Sequence, residues 1–447
     1  MRTDARQPPL LLELIFRHMP ELPEDGLLFS GMMVVSTQTS ILREGHPVSV
    51  SHSACGPSSP DADATGNESA GNADISSLLG MLASVTDPRS PQGIQHALVF
   101  VLAVCVVAML AGAKNYREIA GHAADMPQPL LRKLGAEWSW FRLRYKHPSK
   151  STIRGVLTRI DAAELDMITC AWLFAQARKS GNDEWEIAVD GKVMRGAWTD
   201  ENGKVTLFSA MLHREAVTIA QLRVPDGTNE ITQAGTLLDA AGIPEGESVL
   251  VTLDAAHTQR ETAEYIGGKP RWDYLMTVKG NQPSLQRAVF EKILPLLPGA
   301  PHHVTEEHSR GRIKRWSCWI TGAEGIDFPD ARQAAFIRRE IFEISGDRIS
   351  KEHALILTSR KSGKMTAADV NKHARGHWGI ENKSHYVRDT VYREDHGQAW
   401  AGDGPQALAS LRNLALGLFR IKNVKAIKET AEWVCRDQAR ALQFMTT

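Results

Sequence analysis

The change in hydrophobic periodicity near residue 181 constrains the fold of this chain more than any other feature of its sequence. Before it, apolar residues recur at intervals of three and four, which is typical of helices. Beyond it, short segments alternate with a period of two and predict strands. The strand-like segments are EWEIAVD, KVTLFSAMLH, AVTIAQLRV, SVLVTLD and WDYLMTVKG, and the helix-like segments between them are NEITQAGTLLDAAG and ETAEYI. Three strands, a helix, and then strands alternating with helices predict an α/β domain.

This order of strands and helices is that of a ribonuclease H-like domain. Residues 181–425 are predicted to form it, with a β-rich insertion at about residues 300–358 that contains RIKRWSCWITG, AFIRREIFEI and HALILTS. The helical pattern of residues 75–180 predicts a preceding all-α domain. Residues 1–74 end in a run of Ser, Gly, Pro, Asp and Ala that cannot pack a core, which predicts a disordered leader. Residues 426–447 are interpreted as a C-terminal tail.

Charge is zero overall but unevenly distributed along the chain. Residues 1–74 carry four Arg, no Lys and ten Asp or Glu, whereas residues 132–159 carry eight Lys or Arg and one Glu. Because local charge steers a polyanion, the neutral total does not exclude a nucleic-acid partner. The five cysteines lie far apart and form no CxxC pair, which argues against a zinc cluster or a disulfide framework and favours a reducing, cytoplasmic compartment.

The apolar run from Ala97 to Ala113 resembles a membrane span at first sight. It has 17 residues, at the lower edge of what a bilayer requires, and Ala and Gly make up much of it. A buried helix in a helical domain is therefore the favoured interpretation. No membrane partner is predicted.

Three acidic residues stand where an α/β fold would bring them together. Asp190 in AVDGK ends the first strand and Asp254 in VTLDAAH ends the fourth. These two strands lie side by side in the predicted order, so both carboxylates would emerge at neighbouring strand ends, where α/β folds bind ligands. Glu381 in GHWGIENKSH lies on a later helix that could reach the same edge. Any one Asp here is more often a turn cap, so the prediction rests on the three together.

Three acids at one edge suit the cleavage of phosphodiester bonds. The reaction needs an attacking oxygen activated on one side and a leaving oxygen stabilised on the other, and two Mg²⁺ ions roughly 4 Å apart serve both ends. Mg²⁺ is bound by a few carboxylates together with water and phosphate oxygens. Asp190, Asp254 and Glu381 are therefore the predicted catalytic residues and the ligands of two Mg²⁺ ions, for which Mn²⁺ would substitute.

Basic and polar residues near these acids and in the helical region are the predicted DNA contacts. Those near the acids and in the insertion are Lys192, Arg195, His257, Lys279, Asn281, Gln282, Arg312, His377, Asn382, His385 and Arg388. Those in the helical region are Arg142, Arg144, Lys146, Lys150 and Arg154. For the second set, a solvated face of a helical bundle is an equally good interpretation.

Successive blocks of the sequence resemble one family. DPRSPQG, NYREIAGHA, PSKSTIRGVL, DGKVMRG, LDAAHTQ, YLMTVKGNQPSL, HWGIEN, DTVYRED and LRNLALGLFR follow one another as in bacterial insertion-sequence transposases of the H-repeat-associated branch, related to the four-type insertion sequences. The resemblance covers about residues 75 to 425. It implies a DDE triad at Asp190, Asp254 and Glu381, a β-rich insertion between the second and third acids, and an N-terminal helical region associated with DNA binding.

The resemblance also implies a function. A DNA transposase of this kind would cleave at the terminal inverted repeats of its element with Mg²⁺ and transfer the released 3′-hydroxyl into target DNA. Its partners would be double-stranded DNA and, when two ends are paired, further copies of the chain, in the cytoplasm and at the nucleoid. Two alternatives remain open: an inactive or domesticated DDE nuclease, and a non-catalytic DNA-binding repressor.

One part of the family pattern is changed in this sequence. The wider group has a Tyr, an Arg, the catalytic Glu and a Lys at fixed helical intervals, and the four positions here are Ala374, His377, Glu381 and Arg388. Only the glutamate is retained. The roles of His377 and Arg388 as phosphate contacts therefore rest on position alone.

Two further patterns have competing interpretations. His377, Glu381 and His385 are spaced by four, which would place them on one helix face as in a zinc site, but a hydrolytic zinc helix has the pattern HExxH. The zinc interpretation is therefore disfavoured. Trp316 and Trp319 either stack on an unpaired base or fill one face of the β insertion.

Overall fold

The computed structural model describes residues 75–178, 184–197, 205–397 and 399–446. The predicted leader, residues 1–74, lies outside the described residues. The helices are α1 (Ile75–Ala83), α2 (Leu98–Leu110), α3 (Tyr116–Asp125), α4 (Gln128–Lys133), α5 (Lys150–Leu157), α6 (Ala162–Arg178), α7 (Ala234–Ala240), α8 (Arg260–Gly267), α9 (Pro283–Ile293), α10 (Ala367–Ile380), α11 (Tyr386–Val391), α12 (Gly404–Ile421), α13 (Ile427–Arg436) and α14 (Leu442–Met445). The strands are β1 (Trp138–Ser139), β2 (Arg144–Tyr145), β3 (Trp185–Val193), β4 (Thr206–Leu212), β5 (Thr218–Arg223), β6 (Val249–Leu253), β7 (Trp272–Val278), β8 (His303–Ser309), β9 (Arg312–Gly322), β10 (Gln333–Glu343) and β11 (Arg348–Thr358).

Within the described residues, nine strands form one mixed sheet in the order β5-β4-β3-β6-β7-β11-β10-β9-β8. Strands β3, β4 and β5 are antiparallel neighbours, whereas β3, β6 and β7 run parallel to one another. Every residue of β6 is buried, as expected for a strand with a parallel neighbour on each side. The fold is therefore mixed α/β. Strands β3 to β7 occur where the sequence pattern predicts them.

The predicted β insertion extends this sheet. Strands β8 to β11 form an antiparallel meander, and β11 pairs with β7 so that Leu355 lies opposite Val278. The sequence pattern predicts β9, β10 and β11 but misses β8, because HVTEEHS is polar and largely exposed. The insertion thus forms one half of a continuous sheet whose other half carries the first two acids.

The apolar run at residues 97–113 forms α2, which is a buried helix. Its residues from Phe100 to Leu110 are at most 1% exposed, and α3, α12 and α13 pack around it. No helix in the described ranges combines the length and the apolar character that crossing a membrane requires. The buried-helix interpretation of this run is confirmed.

Two segments differ from the sequence interpretation. The helical region predicted to be all-α contains the short hairpin β1–β2, held by pairing of Trp138 with Tyr145. The segment treated as a tail, residues 426–447, forms α13 and α14, in which Ile427, Val434 and Met445 are buried.

A buried carboxylate joins the helical region to the sheet. Asp166 on α6 is 1% exposed, and it accepts hydrogen bonds from Ser410 (2.5 Å) and Gln406 (2.8 Å) on α12 and from Gln221 (2.8 Å) on β5. Burial raises the pKa of Asp166 to about 7, and the three donors offset only part of this effect. The folded state therefore favours the protonated form of this residue.

We expect Asp166→Asn to change how stability depends on pH. The carboxyl pKa is about 3.9 in an unfolded chain and about 7 here, so between these values the folded state holds a proton that the unfolded state has lost. Asp166 therefore lowers stability progressively as pH rises from about 4 to about 7, and adds no further change above that. Urea unfolding midpoints of the two proteins should shift in favour of the variant across this range. A difference that stays constant with pH would contradict the assignment.

Candidate active site

Asp190 and Asp254 lie side by side on the parallel pair β3–β6. The pairing of these strands ends with Val189 opposite Leu253, and each acid is the next residue of its chain. Strand β3 continues to Val193 because it still pairs with β4. Asp190 thus lies within β3, at the point where β3 parts from β6, and not at the strand end that the sequence predicts.

Helix α10 brings Glu381 to the same place. A capping box starts the helix, in which the Thr366 hydroxyl accepts the N–H of Asp369 and the Asp369 carboxylate accepts the N–H of Thr366. The helix packs on β3 and β6 and ends at Ile380, where the chain enters a π-helical turn, Glu381–His385. Glu381 is the first residue of this turn, and its side chain is exposed. Such turns are rare in proteins and are frequent at functional sites.

The charges of these acids act on one another. Burial, followed by the negative charges of Asp254, Glu230 and Glu381, raises the pKa of Asp190 to about 7. The N–H of Gly191, 2.9 Å from the Asp190 carboxylate, opposes this shift. Because ionised carboxylates that face one cleft repel each other, the arrangement favours a divalent cation among them.

Glu230 is a fourth acid of the site that sequence reasoning missed. It lies in a 3₁₀ turn, Glu230–Gln233, that follows β5 and is capped by Asn229. A Cβ atom at Gly191 would clash with the Glu230 carboxylate, so the glycine allows this acid to approach the strand that carries Asp190. In the sequence, Glu230 looks like an ordinary acid in the first turn of a helix.

Two of the predicted histidines line the site, and a third does not. His385 places Nδ1 3.5 Å from the Asp190 carboxylate, and burial lowers its pKa to about 3. His377 places Nδ1 3.1 Å from the Thr252 hydroxyl, and burial lowers its pKa to about 4. His257 is 1% exposed and stacks on Phe208, so its prediction as a DNA contact is wrong.

The zinc interpretation of the histidine helix has no support in the geometry. His377 turns to Thr252 and His385 turns to Asp190, so the two rings serve different partners. Within the described part of the chain, these two histidines and Glu381 do not bring their ligand atoms together.

Lys192 is held by carboxylates and is not a free phosphate contact. Its Nζ lies 2.7 Å from Asp389 and 3.4 Å from Asp395, and the side chain is 8% exposed. The lysine therefore fastens α11 and the turn after it to β3. Its prediction as a DNA contact needs this correction, because its charge is already neutralised by two partners.

Arg388 is fully buried, which excludes the predicted phosphate contact. Its guanidinium lies 2.8 Å from Glu394, and Arg412 lies 2.8 Å from the same carboxylate group. Burial alone would raise the pKa of Glu394, but the two guanidinium groups hold it at about 2. Arg388 stabilises the fold behind the site.

A cleft of about 980 Å³ opens between the acids and the β insertion. Its floor carries Asp190, Asp254 and Glu381, and β10 and β11 form its far wall. Trp378 and Tyr386, 40% and 62% exposed, lie at its rim and were not predicted from the sequence.

Trp316 and Trp319 fill the face of the insertion strands. Trp316 is 5% exposed and covered by the Arg375 guanidinium, 4.1 Å from its ring centre. Trp319 is 2% exposed and donates its indole N–H to the Gly299 carbonyl. Of the two sequence interpretations, strand packing is the arrangement observed for both rings.

Comparison with known proteins identifies the family. The family model described as "Transposase DDE domain" matches residues 181–418, and the model described as "DDE_Tnp_1-associated" matches residues 79–173. The chain belongs to the DDE transposase family. The resemblance stated from the sequence blocks is thereby confirmed.

Two relatives from Escherichia coli agree with this assignment. "Putative transposase YncI" of Escherichia coli O157:H7 is 27% identical to this DDE transposase over 368 residues, which cover 78% of this chain and 89% of that protein. "H repeat-associated putative transposase YhhI" of Escherichia coli (strain K12) is 25% identical over 357 residues, which cover 77% and 91%. A cryo-EM structure of a piggyBac transposase synaptic complex with hairpin DNA aligns with 83% of this chain and 80% of that chain, at a TM-score of 0.36 and 9% identity.

The remaining polar residues predicted near the acids of this DDE transposase divide into three groups. Arg195, Lys279 and Asn382 line the cleft with exposed side chains. Asn281 and Gln282 donate their side-chain amides to the backbone carbonyls of the segment after β6, so they hold the loop that follows β7. Arg312 is exposed at the start of β9, outside the cleft.

The basic residues predicted in the helical region of this DDE transposase are exposed or half-buried. Arg142 is in the turn of the β1–β2 hairpin and Arg144 begins β2, and both are exposed. Lys146, which follows the hairpin, is half-buried and forms an ion pair with Glu137 at 3.4 Å. Lys150 and Arg154 are exposed on α5.

Proposed function

We propose that this DDE transposase cleaves DNA at the ends of an insertion sequence and joins the released 3′-hydroxyl to target DNA. The observation that carries the proposal is the meeting of Asp190, Asp254 and Glu381 at one edge of the sheet, in a cleft that also contains exposed Arg195 and Lys279. The acids supply ligands for cations, and the basic side chains line the space that the phosphate groups of DNA would occupy.

We infer a ribonuclease H-like catalytic domain at residues 181–425, preceded by a DNA-associated helical domain at residues 75–180. The strand order β5-β4-β3-β6-β7 supports the first part, since three antiparallel strands lead into two parallel ones. The family models, which meet between residues 173 and 181, support the boundary. Pairing of two DNA ends would require more than one copy of the chain.

The donor set fits Mg²⁺. Carboxylate oxygens are the ligands this ion prefers, and the raised pKa of Asp190 reflects a burial and repulsion that a divalent cation would offset. Asp190, Asp254 and Glu381 would hold two Mg²⁺ ions, with Mn²⁺ as a substitute. When bound, these ions would activate the attacking oxygen and stabilise the leaving oxygen of an in-line displacement.

The residues around the acids fix their positions. His385 is neutral because of its low pKa, and its Nδ1 can donate a hydrogen bond to Asp190 at 3.5 Å. Lys192 ties Asp389 of α11 to β3 and so holds the helix that follows Glu381. Arg195 and Lys279 are free to contact the phosphates on either side of the cleaved bond.

The β1–β2 hairpin is the proposed second contact with DNA. At its turn Trp140, Phe141 and Leu143 are 83%, 103% and 72% exposed, beside exposed Arg142 and Arg144. An apolar tip flanked by arginines has the composition of side chains that enter a DNA groove and wedge between base steps. Three exposed apolar side chains in one turn are unfavourable in water and mark an interaction site. We therefore propose that duplex DNA covers them.

We expect the double substitution Trp140→Ala, Phe141→Ala to weaken binding to an end-sequence duplex by about tenfold or more, because contacts of aromatic rings with bases are worth about 1–3 kcal/mol each. Arg142→Gln with Arg144→Gln should instead lower the slope of log affinity against log salt by up to about 1.8, since each phosphate contact contributes about 0.9. Fluorescence anisotropy at several salt concentrations measures both effects. Met167→Ala, which removes another apolar side chain that is 64% exposed, is the control. Equal changes of affinity and of salt slope in all three variants would contradict the hairpin contact.

The proposed reaction is tested by mapping its products. The purified chain is incubated with duplexes that carry both flanking ends of its element, with Mg²⁺, Mn²⁺ or Ca²⁺, and the strand ends are sequenced. Cleavage at the element boundary and joined products in Mg²⁺ support transposition. Cleavage without joining would instead indicate a nuclease. A footprint with no cleavage in any metal would indicate a non-catalytic DNA-binding repressor.

A further inference from the structure

A second cluster of metal-ligating side chains lies under α10, apart from the three acids. We propose that Glu186, His213 and His373 bind a transition-metal ion of the zinc class. The site itself does not depend on the proposed reaction. Its expected role is to fix α10, the helix that leads into Glu381, against the sheet.

The backbone brings these three residues together. Glu186 on β3 and His213 after β4 are cross-strand neighbours, since the N–H of His213 donates to the carbonyl of Glu186 at 2.9 Å. Directly opposed residues of an antiparallel pair point to the same face of the sheet. Helix α10 packs on this face and places His373 over both side chains, eight residues before Glu381. Thus β3 and α10 carry the cluster at one end and the acids at the other.

The distances suit a four-coordinate ion. One carboxylate oxygen of Glu186 lies 3.3 Å from His373 Nδ1 and 3.7 Å from His213 Nδ1. The three ligand atoms all lie within 4.8 Å of one another. Tetrahedral zinc with ligands at about 2.0–2.1 Å separates neighbouring ligand atoms by roughly 3.4 Å. Small side-chain rotations would therefore place all three around one centre, with a fourth position left for water.

Among the described residues, the histidine atoms that face this centre have no partner other than the Glu186 carboxylate. Nδ1 of His213 and Nδ1 of His373 are buried and neither is in a well-formed hydrogen bond, whereas most buried polar atoms are. Both side chains are about 5% exposed. A Cβ atom at Gly376 would clash with His213 Nδ1, so only glycine at this position of α10 lets the ring approach the helix.

The outer contacts orient the ligands. His213 Nε2 lies 2.8 Å from the Thr252 hydroxyl, the kind of contact that fixes the ring of a metal-bound histidine. Lys372 Nζ lies 2.9 Å from the other oxygen of Glu186, which leaves one oxygen facing the rings. Two imidazole nitrogens and one carboxylate favour zinc-class ions over Mg²⁺, which prefers oxygen ligands.

The test uses the full chain with Asp190→Asn, Asp254→Asn and Glu381→Gln, so that the acids of the cleft do not compete for metal. Cobalt(II) absorption reports a tetrahedral site, and zinc affinity is measured by competition with a coloured chelator. This parent should bind about one ion per chain with a tetrahedral cobalt spectrum. Glu186→Gln and His373→Asn should each weaken zinc binding by at least about tenfold. His308→Asn, an exposed histidine of β8, should leave it unchanged.

Zinc should also raise the melting temperature of the parent and of His308→Asn, but not that of Glu186→Gln or His373→Asn. Glu186 is 22% exposed, so its substitution carries the test if the His373 variant does not fold. Absence of a cobalt spectrum in the parent, or zinc affinity unchanged by Glu186→Gln, would overturn the site. The three residues would then be only a glutamate with two histidines beside its carboxylate.

Discussion

Asp190→Asn is expected to reduce cleavage of an end-sequence duplex by roughly a thousandfold or more, because it removes a charged group that would hold the divalent cations, without changing side-chain shape. Asp254→Asn and Glu381→Gln should have effects of the same order. Asp190 is three-quarters buried, and the negative charges of Asp254 and Glu381 raise its pKa. Each substitution therefore also changes the electrostatic field on the other two acids. Single-turnover nicking in Mg²⁺ measures the loss.

Glu352→Gln is the matched control for these substitutions. This glutamate also lines the cleft, but it pairs with Arg339 on the insertion and is 56% exposed. It should keep nicking within about threefold, since a surface ion pair is worth little. Unchanged nicking in any of the three acid variants would remove that acid from the site.

Glu394→Gln is expected to produce the largest loss of stability among single substitutions near the site. The substitution leaves the guanidinium groups of Arg388 and Arg412, 1% and 3% exposed, buried beside a neutral amide. Breaking a buried ion pair in this way costs about 3–5 kcal/mol. Thermal and urea unfolding of the purified protein measure the effect.

The double variant Arg388→Met, Glu394→Gln separates the ion pair from a general packing defect. It removes one of the two uncompensated charges, so it should recover part of the stability lost in Glu394→Gln. Glu381→Gln is the control, because its exposed side chain should leave the unfolding midpoint nearly unchanged. If Glu394→Gln unfolds like the wild-type protein, the ion pairs of Glu394 with Arg388 and Arg412 do not stabilise the fold.

The sequence predicts the strand order and the meeting of the first two acids because both follow from local pattern. Alternation of apolar residues marks β3, β4, β5, β6 and β7, and an acid follows the paired part of β3 and of β6. Since adjacent parallel strands end at one edge, their positions in the sequence are sufficient to place Asp190 and Asp254 together.

The positions of the basic residues could not be predicted in the same way. Arg388 and Lys192 stand next to the sequence blocks that contain the three acids, yet their partners Glu394, Asp389 and Asp395 are known only from the packing of α11 and the following turn. A buried cation and a surface cation look the same in a one-dimensional pattern. The cluster of Glu186, His213 and His373 could not be predicted either, because its members are far apart in the chain and only the fold brings them together.

We propose that Asp190, Asp254 and Glu381 hold divalent cations at one edge of the sheet. Crystals of the protein soaked in Mn²⁺ allow the bound ions to be located by their anomalous scattering. We expect peaks within coordinating distance of all three carboxylates. Mn²⁺ peaks that involve none of these acids, or a Glu381 side chain directed away from Asp190 and Asp254 in the metal-bound crystal, would contradict it.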